Sequence, residues 1–281
     1  MLLNYNEYDD KILNHLHELE LMILKDFIRI CEENNLTYYM YAGSLLGAVR
    51  HNGFIPWDDD LDVIMFRDDF EKFKKIFIAS ENDKYELLCN ETEKDYFHLL
   101  AKLMLKGTMF EESWVSQVDF HVGINMDIFV LDDLAEGKFK RSYQLKRSFV
   151  YNKLLIMSKV RLDNLPFIQK VVSHAGYYVL KLFRVKPSSL NRRCLNFLKK
   201  YKNPDAEHVF DISATSKEYP QIFRKADFKS VAKVKFEDIE VNAPINYDFI
   251  LTSLYGDYMQ LPPEEDRYNH ITETLDFGPY E

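Results

Sequence analysis

Short apolar runs of strand length, set between amphipathic helices, predict an α+β fold that carries a basic helical insertion. Two observations carry this expectation. Runs at 36–41, 60–66, 85–89, 98–105, 108–111 and 124–131 are rich in β-branched or aromatic residues and bounded by turn residues. From Lys138 to Lys202 the pattern turns helical, with 17 Lys and Arg against one acid, Asp163. The chain therefore divides into a core, 1–137, a basic helical insertion, 138–202, and a C-terminal part, 203–281, that completes the core.

The first element is a helix over 7–33, where Ile12, Leu13, Leu16, Leu19, Ile23, Phe27 and Ile30 recur at three- and four-residue spacing. Asn34 and Asn35 end it. A strand at 36–41 leads to Gly43-Ser44, with Ser44 placed to cap a short helix over 45–50. Asn52-Gly53 and Pro56 make a loop before the strand at 60–66. A helix follows, capped by Arg67-Asp68-Asp69, with Phe70, Phe73, Ile76 and Phe77 as its apolar face. The next three strands are expected to pair antiparallel, and Gly123 precedes another at 124–131. Pro166 and Pro187 cut the basic stretch into three helices. Strands at 231–236 and 239–241 and a helix at 247–255 follow.

Of the 281 residues, 47% are apolar and 29% charged, the composition of a soluble globular chain. The formal charge of −9 excludes nucleic-acid binding by an overall basic surface. It hides a split, because the basic insertion carries +16 and the remainder −25. Cys31, Cys89 and Cys194 are too scattered for a disulfide framework or a zinc site, which fits a reducing cytoplasm. The first residues lack the pattern of a signal peptide, and no apolar run reaches the roughly 18 residues of a membrane span.

The strongest chemical signal is the stretch from Gly43 to Val63, which contains Gly43-Ser44, Arg50-His51 and Trp57-Asp58-Asp59-Asp60-Leu61-Asp62. If the strand begins at Asp60, Asp60 and Asp62 lie on one face about 7 Å apart, spaced to hold Mg²⁺. The competing reading is a solvated acidic loop. Two details favour the metal: an apolar strand follows at once, and a Gly-Ser turn precedes, where free N–H groups can cradle phosphate. Asp127, inside the apolar run Ile124 to Leu131, is a third carboxylate or else a salt-bridged core residue. Arg50 and His51 suit phosphate oxygens or a polar helix end. Lys102 suits phosphate, or snorkels to solvent.

These residues resemble the LicD family of cholinephosphotransferases, relatives of the fukutin-type phospho-alcohol transferases. The likeness runs through Asp127 to Asp133 and resumes at Tyr255-Gly256-Asp257-Tyr258, Leu261-Pro262-Pro263 and His270. It implies a nucleotidyltransferase-type mixed sheet with flanking helices. It also implies transfer of a phospho-alcohol, typically phosphocholine from CDP-choline, to a sugar hydroxyl of a cell-surface glycan or its lipid-linked precursor, with release of CMP. In that pattern Gly43 and Ser44 touch phosphate, and Asp60, Asp62 and Asp127 hold Mg²⁺ or Mn²⁺ and do the chemistry. Arg50, His51, Trp57, Lys102, Tyr255 and His270 then serve the substrate. A quaternary ammonium cargo suits an aromatic cage, for which Trp57 and Tyr255 are the preferred candidates among Trp57, Tyr96, Trp114, Tyr255 and Tyr258.

The basic insertion mixes its charge with apolar and aromatic residues, the pattern of an interfacial helix on an anionic membrane. The alternative is a helical subdomain whose bases pair with the acidic remainder. The membrane reading places the chain in the cytoplasm, peripheral at the inner face of the membrane. Two other functions compete with the transferase: a nucleotidyltransferase that moves a nucleoside monophosphate and releases pyrophosphate, and a non-catalytic glycan- or membrane-binding protein.

Overall fold

A computed structural model describes residues 3–4, 9–112, 114–163, 165–213, 221–269 and 272–281. In chain order the elements begin with β1 (Leu3–Asn4), α1 (Asp10–Glu33), β2 (Tyr39–Met40), α2 (Ala42–His51) and β3 (Asp62–Phe66). Then come α3 (Arg67–Ala79), β4 (Tyr85–Leu88), β5 (Ala101–Leu105), β6 (Met109–Glu111) and β7 (Asn125–Asp133). The insertion is α4 (Lys138–Met157), α5 (Phe167–Leu182) and α6 (Pro187–Leu198). The remainder holds β8 (His208–Asp211), β9 (Ile222–Arg224), β10 (Val231–Phe236), β11 (Ile239–Pro244), α7 (Tyr247–Tyr255), β12 (Tyr268–Asn269) and β13 (Thr274–Asp276).

The central sheet runs β2-β3-β7-β5-β4, with β8 against the far end of β7 and β9 beyond it. It is mixed: β3 and β7 are parallel, and β5, β4 and β8 join antiparallel. This is the α+β architecture with flanking helices expected above. One large core joins the apolar stripe of α1, the strands and Phe228, Phe236, Val241, Ile250 and Leu251 from the C-terminal part. A second cluster packs Leu145, Leu155 and Ile156 of α4 and Leu190, Cys194, Phe197 and Leu198 of α6 against Leu134, Phe210 and Ile212. The three cysteines are buried, Cys31 and Cys89 in the first cluster and Cys194 in the second.

Several local expectations change. Helix α1 begins at Asp10, where the Asp9 side chain accepts from the Lys11 N–H and satisfies one open donor of the first turn. The strand at 36–41 shrinks to Tyr39–Met40. Helix α2 starts three residues earlier than expected, so Ser44 lies inside it and the cap position is Tyr41, which makes no side-chain cap bond. The strand at 60–66 starts at Asp62, leaving Asp60 in the preceding loop. The run at 108–111 is strand, but β6 leaves the central sheet and pairs with β13. Pro166 and Pro187 delimit the helices as expected, at the cap of α5 and the first turn of α6.

Candidate active site

Parallel register pairs Asp62 with Asp127, and antiparallel register pairs Asp127 with Lys102. Partners in register share a face of the sheet, so β3, β7 and β5 present a row: Asp62, Asp127, Lys102. Lys102 Nζ donates to Asp127 Oδ1 at 2.7 Å and to Asn125 Oδ1 at 3.1 Å. Lys102 is buried and so does not snorkel to solvent; burial opposes its charge, but Asp127, Glu112 and Asp62 together outweigh burial and raise its pKa. Asp62 has no such balance. Burial and then the charges of Asp60, Asp127 and Asp58 push its carboxyl well above the usual range, against Lys102 pulling it down.

Asp60 does not share a strand face with Asp62, because it stands in the loop 58–61. That loop is pinned from two sides. His17 of α1 reaches the Asp58 carbonyl through Nε2 at 2.8 Å, and the Ser44 hydroxyl accepts from the Asp62 N–H at 2.7 Å. The start of α2 faces the same carboxylates. A Cβ added to Gly43 would sit 2.7 Å from Asp58 Oδ2 and 4.0 Å from Asp60 Oδ1, so only glycine allows this approach without displacement. The opening amides of α2 carry its positive end, which suits carboxylates and phosphate alike.

Sequence reasoning missed two carboxylates here. Asp58 lines the site in place of a second strand aspartate. Glu20 of α1 is buried, and its Oε2 has no hydrogen-bond partner among the described residues. Burial, followed by the charges of Asp60, Asp59, Asp58 and Asp127, holds its carboxyl well above the ordinary range. The signal was present: Glu20 falls on the apolar stripe with Leu16, Leu19, Ile23, Leu24 and Phe27.

Beside the carboxylates opens a cleft of about 590 Å³, lined by Gly43, Arg50, Trp57, Asp58, Tyr255 and Tyr258 among others. Arg50 Nη1 donates to the Tyr258 carbonyl at 2.9 Å, and Arg50 Nε to His51 Nε2 at 2.9 Å. Burial and then Arg50 lower the pKa of His51, which favours its neutral form. The Arg267 guanidinium lies 4.8 Å from the Trp57 ring centre and that of Arg50 at 6.0 Å. Trp57 is therefore a platform for two guanidinium groups. Arg267 was not singled out from sequence. Tyr96 and Trp114 belong to a separate aromatic cluster with Phe97, His98 and Phe120. His270 lies outside the described residues.

The donor set fits a hard divalent cation: Asp60, Asp62 and Asp127 offer oxygen ligands, and their charges bear on one another. Asp60, Asp62 and Asp127 do not close to within 4.8 Å as a trio; the set of described residues that does is Glu136, Glu207 and His208. Arg141 lies against that surface set, 3.6 Å from Glu136 and 3.2 Å from His208. Mg²⁺ keeps several waters and borrows substrate phosphate, so one or two carboxylates suffice for it.

The mixed sheet, with acids on adjacent parallel strands beside a glycine-opened helix, makes this an α+β domain with a carboxylate-lined site. Residues 35–130 match the model of the LicD/FKTN/FKRP nucleotidyltransferase domain. Lipopolysaccharide cholinephosphotransferase LicD of Haemophilus influenzae is 30% identical over 258 residues, covering 89% of this chain and 92% of that protein. Human ribitol 5-phosphate transferase FKRP is 25% identical over 104 residues, 31% of this chain and 21% of that protein. The chain belongs to the LicD family. None of its described helices is long and apolar enough to cross a membrane.

Proposed function

We propose that this chain transfers phosphocholine from CDP-choline to a sugar hydroxyl of a cell-surface glycan or its lipid-linked precursor, releasing CMP. One observation carries the reading: acids in register on adjacent parallel strands, beside the glycine-opened start of α2 and next to an arginine-lined cleft. The near end-to-end likeness to a lipopolysaccharide cholinephosphotransferase supports the choice of cargo and acceptor. Asp60, Asp62 and Asp127 would hold Mg²⁺ or Mn²⁺, which when bound neutralises the diphosphate of the donor. Lys102 holds the Asp127 carboxylate in one orientation. Arg50 and Arg267, braced on Trp57, bind phosphate oxygens that the opening amides of α2 also reach. Tyr255 at the end of α7 walls the same cleft.

The test is a thermal-shift screen of CDP-choline, CDP-ribitol, CDP-glycerol and CDP-ethanolamine with Mg²⁺, followed by product analysis. Selective binding raises the melting temperature by mass action. CDP-choline is expected to give the largest shift, and CMP the nucleotide product. Stabilisation by another CDP-alcohol reassigns the cargo. Pyrophosphate released from a nucleoside triphosphate replaces the reading with nucleotidyl transfer, and no turnover of either kind overturns catalysis.

A further inference from the structure

Helix α5 is built inside out. In a soluble protein a surface helix turns its apolar stripe to the core and its polar face to water. The buried residue of α5 is Ser173, which accepts a hydrogen bond from the Leu162 N–H at 3.4 Å. Beside Ser173 on the inner face are Gly176, close enough to α4 that an added Cβ would lie 2.6 Å from Met157 Sδ, and Tyr177, whose ring Arg161 covers at 5.7 Å. The segment before α5 is itself tied down, since the Arg161 N–H donates to Gln117 Oε1 at 2.9 Å and Gln117 Nε2 to the Arg161 carbonyl at 3.3 Å. The outer face is apolar: Phe167 is 80% exposed, Ile168 76%, Val172 60%, Leu182 77% and, just past the helix, Phe183 73%. At about 100° per residue these side chains fall in one wedge of about 160°, which contains no charged residue. Lys170 and Lys181 lie nearest its border, about 60° and 40° outside it, Lys170 paired with Asp163 at 3.1 Å.

The neighbouring helices are not built this way. Both α4 and α6 bury apolar residues in the second core cluster, to which α5 contributes none. The basic insertion therefore separates into two structural helices and one that faces outward.

We propose that the outer face of α5 lies in the surface of an anionic lipid bilayer, as a monotopic helix parallel to the membrane plane. The charge split selects this occupant. The insertion carries +16 on a chain whose remainder carries −25, so an anionic surface attracts this side and repels the rest. A second copy of the chain docking face to face would instead bring the bordering bases of two α5 helices together. The 16 residues of α5 span about 24 Å and are too few to cross the hydrocarbon core, which fits lying on it. This inference goes beyond the transferase reading and does not depend on it.

The experiment is co-sedimentation of the full chain with vesicles of phosphatidylcholine alone, or mixed with phosphatidylglycerol, at low and high salt. Wild type is expected to sediment with the anionic vesicles at low salt, at least tenfold more than with neutral ones, and less as salt rises. Val179→Asp/Leu182→Asp places two carboxylates on the outer face and should lower binding at least tenfold. Lys181→Glu should lower it chiefly at low salt. Circular dichroism checks that the variants are folded, and wild type alone decides if they are not. Three results overturn the proposal: no sedimentation of wild type with anionic vesicles at low salt, undiminished binding by a folded Val179→Asp/Leu182→Asp variant, or a dimer by light scattering that this variant dissociates.

Discussion

Strand β7 carries two acids with opposite settings, Asp132 buried and Asp127 half-buried. Asp132, on one face, meets Arg67 in a two-pronged ion pair, Nε to Oδ1 at 3.0 Å and Nη2 to Oδ2 at 2.7 Å. Asp127, on the other, joins a row with Lys102, and the charges of Asp62, Asp60, Asp58 and Glu20 bear on the same space. Both faces hide carboxylates from water, at a cost that only a partner offsets. The Arg67 face supplies that partner from its own sequence. On the Asp127 face the acids bear on one another, which raises the carboxyls of Asp62 and Glu20.

Three substitutions should sharpen that contrast, beginning with the largest effect. Asp62→Asn keeps the shape and removes the charge, so CMP release should fall by about a hundredfold or more. The same variant should melt higher than wild type in metal-free buffer, because like-charge repulsion is relieved. Near-normal turnover in a folded Asp62→Asn protein would break the comparison. Asp132→Ala should behave oppositely: it leaves Arg67 with Glu71 as its acid, with an expected loss of about 1–3 kcal/mol in denaturant unfolding and unchanged turnover per folded molecule. Adding Arg67→Met should restore most of that stability. Gly43→Ala should be milder, lowering turnover roughly tenfold by displacing Asp58, with a melting temperature close to wild type.

The smallest effect is on pH. Glu20 and Asp62 both have carboxyls raised by burial first and neighbouring acids second. A raised carboxyl contributes stability that is complete below the ordinary carboxylate range and is lost as pH rises through the folded value. Metal-free protein should therefore melt at progressively lower temperature as pH rises above the ordinary carboxylate range. Glu20→Gln should flatten that slope, and added Mg²⁺ should do the same. An unchanged slope in Glu20→Gln would remove Glu20 from the cluster.

Much of this site was legible because carboxylates stood where the apolar pattern had no use for them. Asp127 interrupts a strand, and its pairing with Asp62 follows once β3 and β7 are neighbours. Glu20 carried the same signal on a helix and was passed over, since one acid on a 24-residue stripe reads as noise without its neighbours. Boundaries were less legible. Alternation set the strand start at Asp60, but three hydrogen bonds set where pairing begins: the Asp127 N–H to the Leu61 carbonyl, the Asp62 N–H to the Ser44 hydroxyl and the Tyr41 N–H to the Asp62 carbonyl. Arg267 was invisible because what ties it to the site is a contact with Trp57, some two hundred positions away. The same distance hid the pairing of β6 with β13. The membrane expectation, drawn from charge mixed with apolar residues, took in the whole insertion, and the structure sets α5 apart as the helix that adds nothing to the second core cluster.

The buried cysteines make the two core clusters separately observable. Burial raises the thiol of Cys31 in α1, and that of Cys194 in α6 is pushed up to about 12, so neither presents thiolate to an alkylating reagent while its cluster is closed. Modification then becomes a clock for opening. If the helical insertion breathes apart from the sheet, Cys194 is labelled well before Cys31. If they open together, the two rates coincide, and the protein unfolds as a single cooperative body.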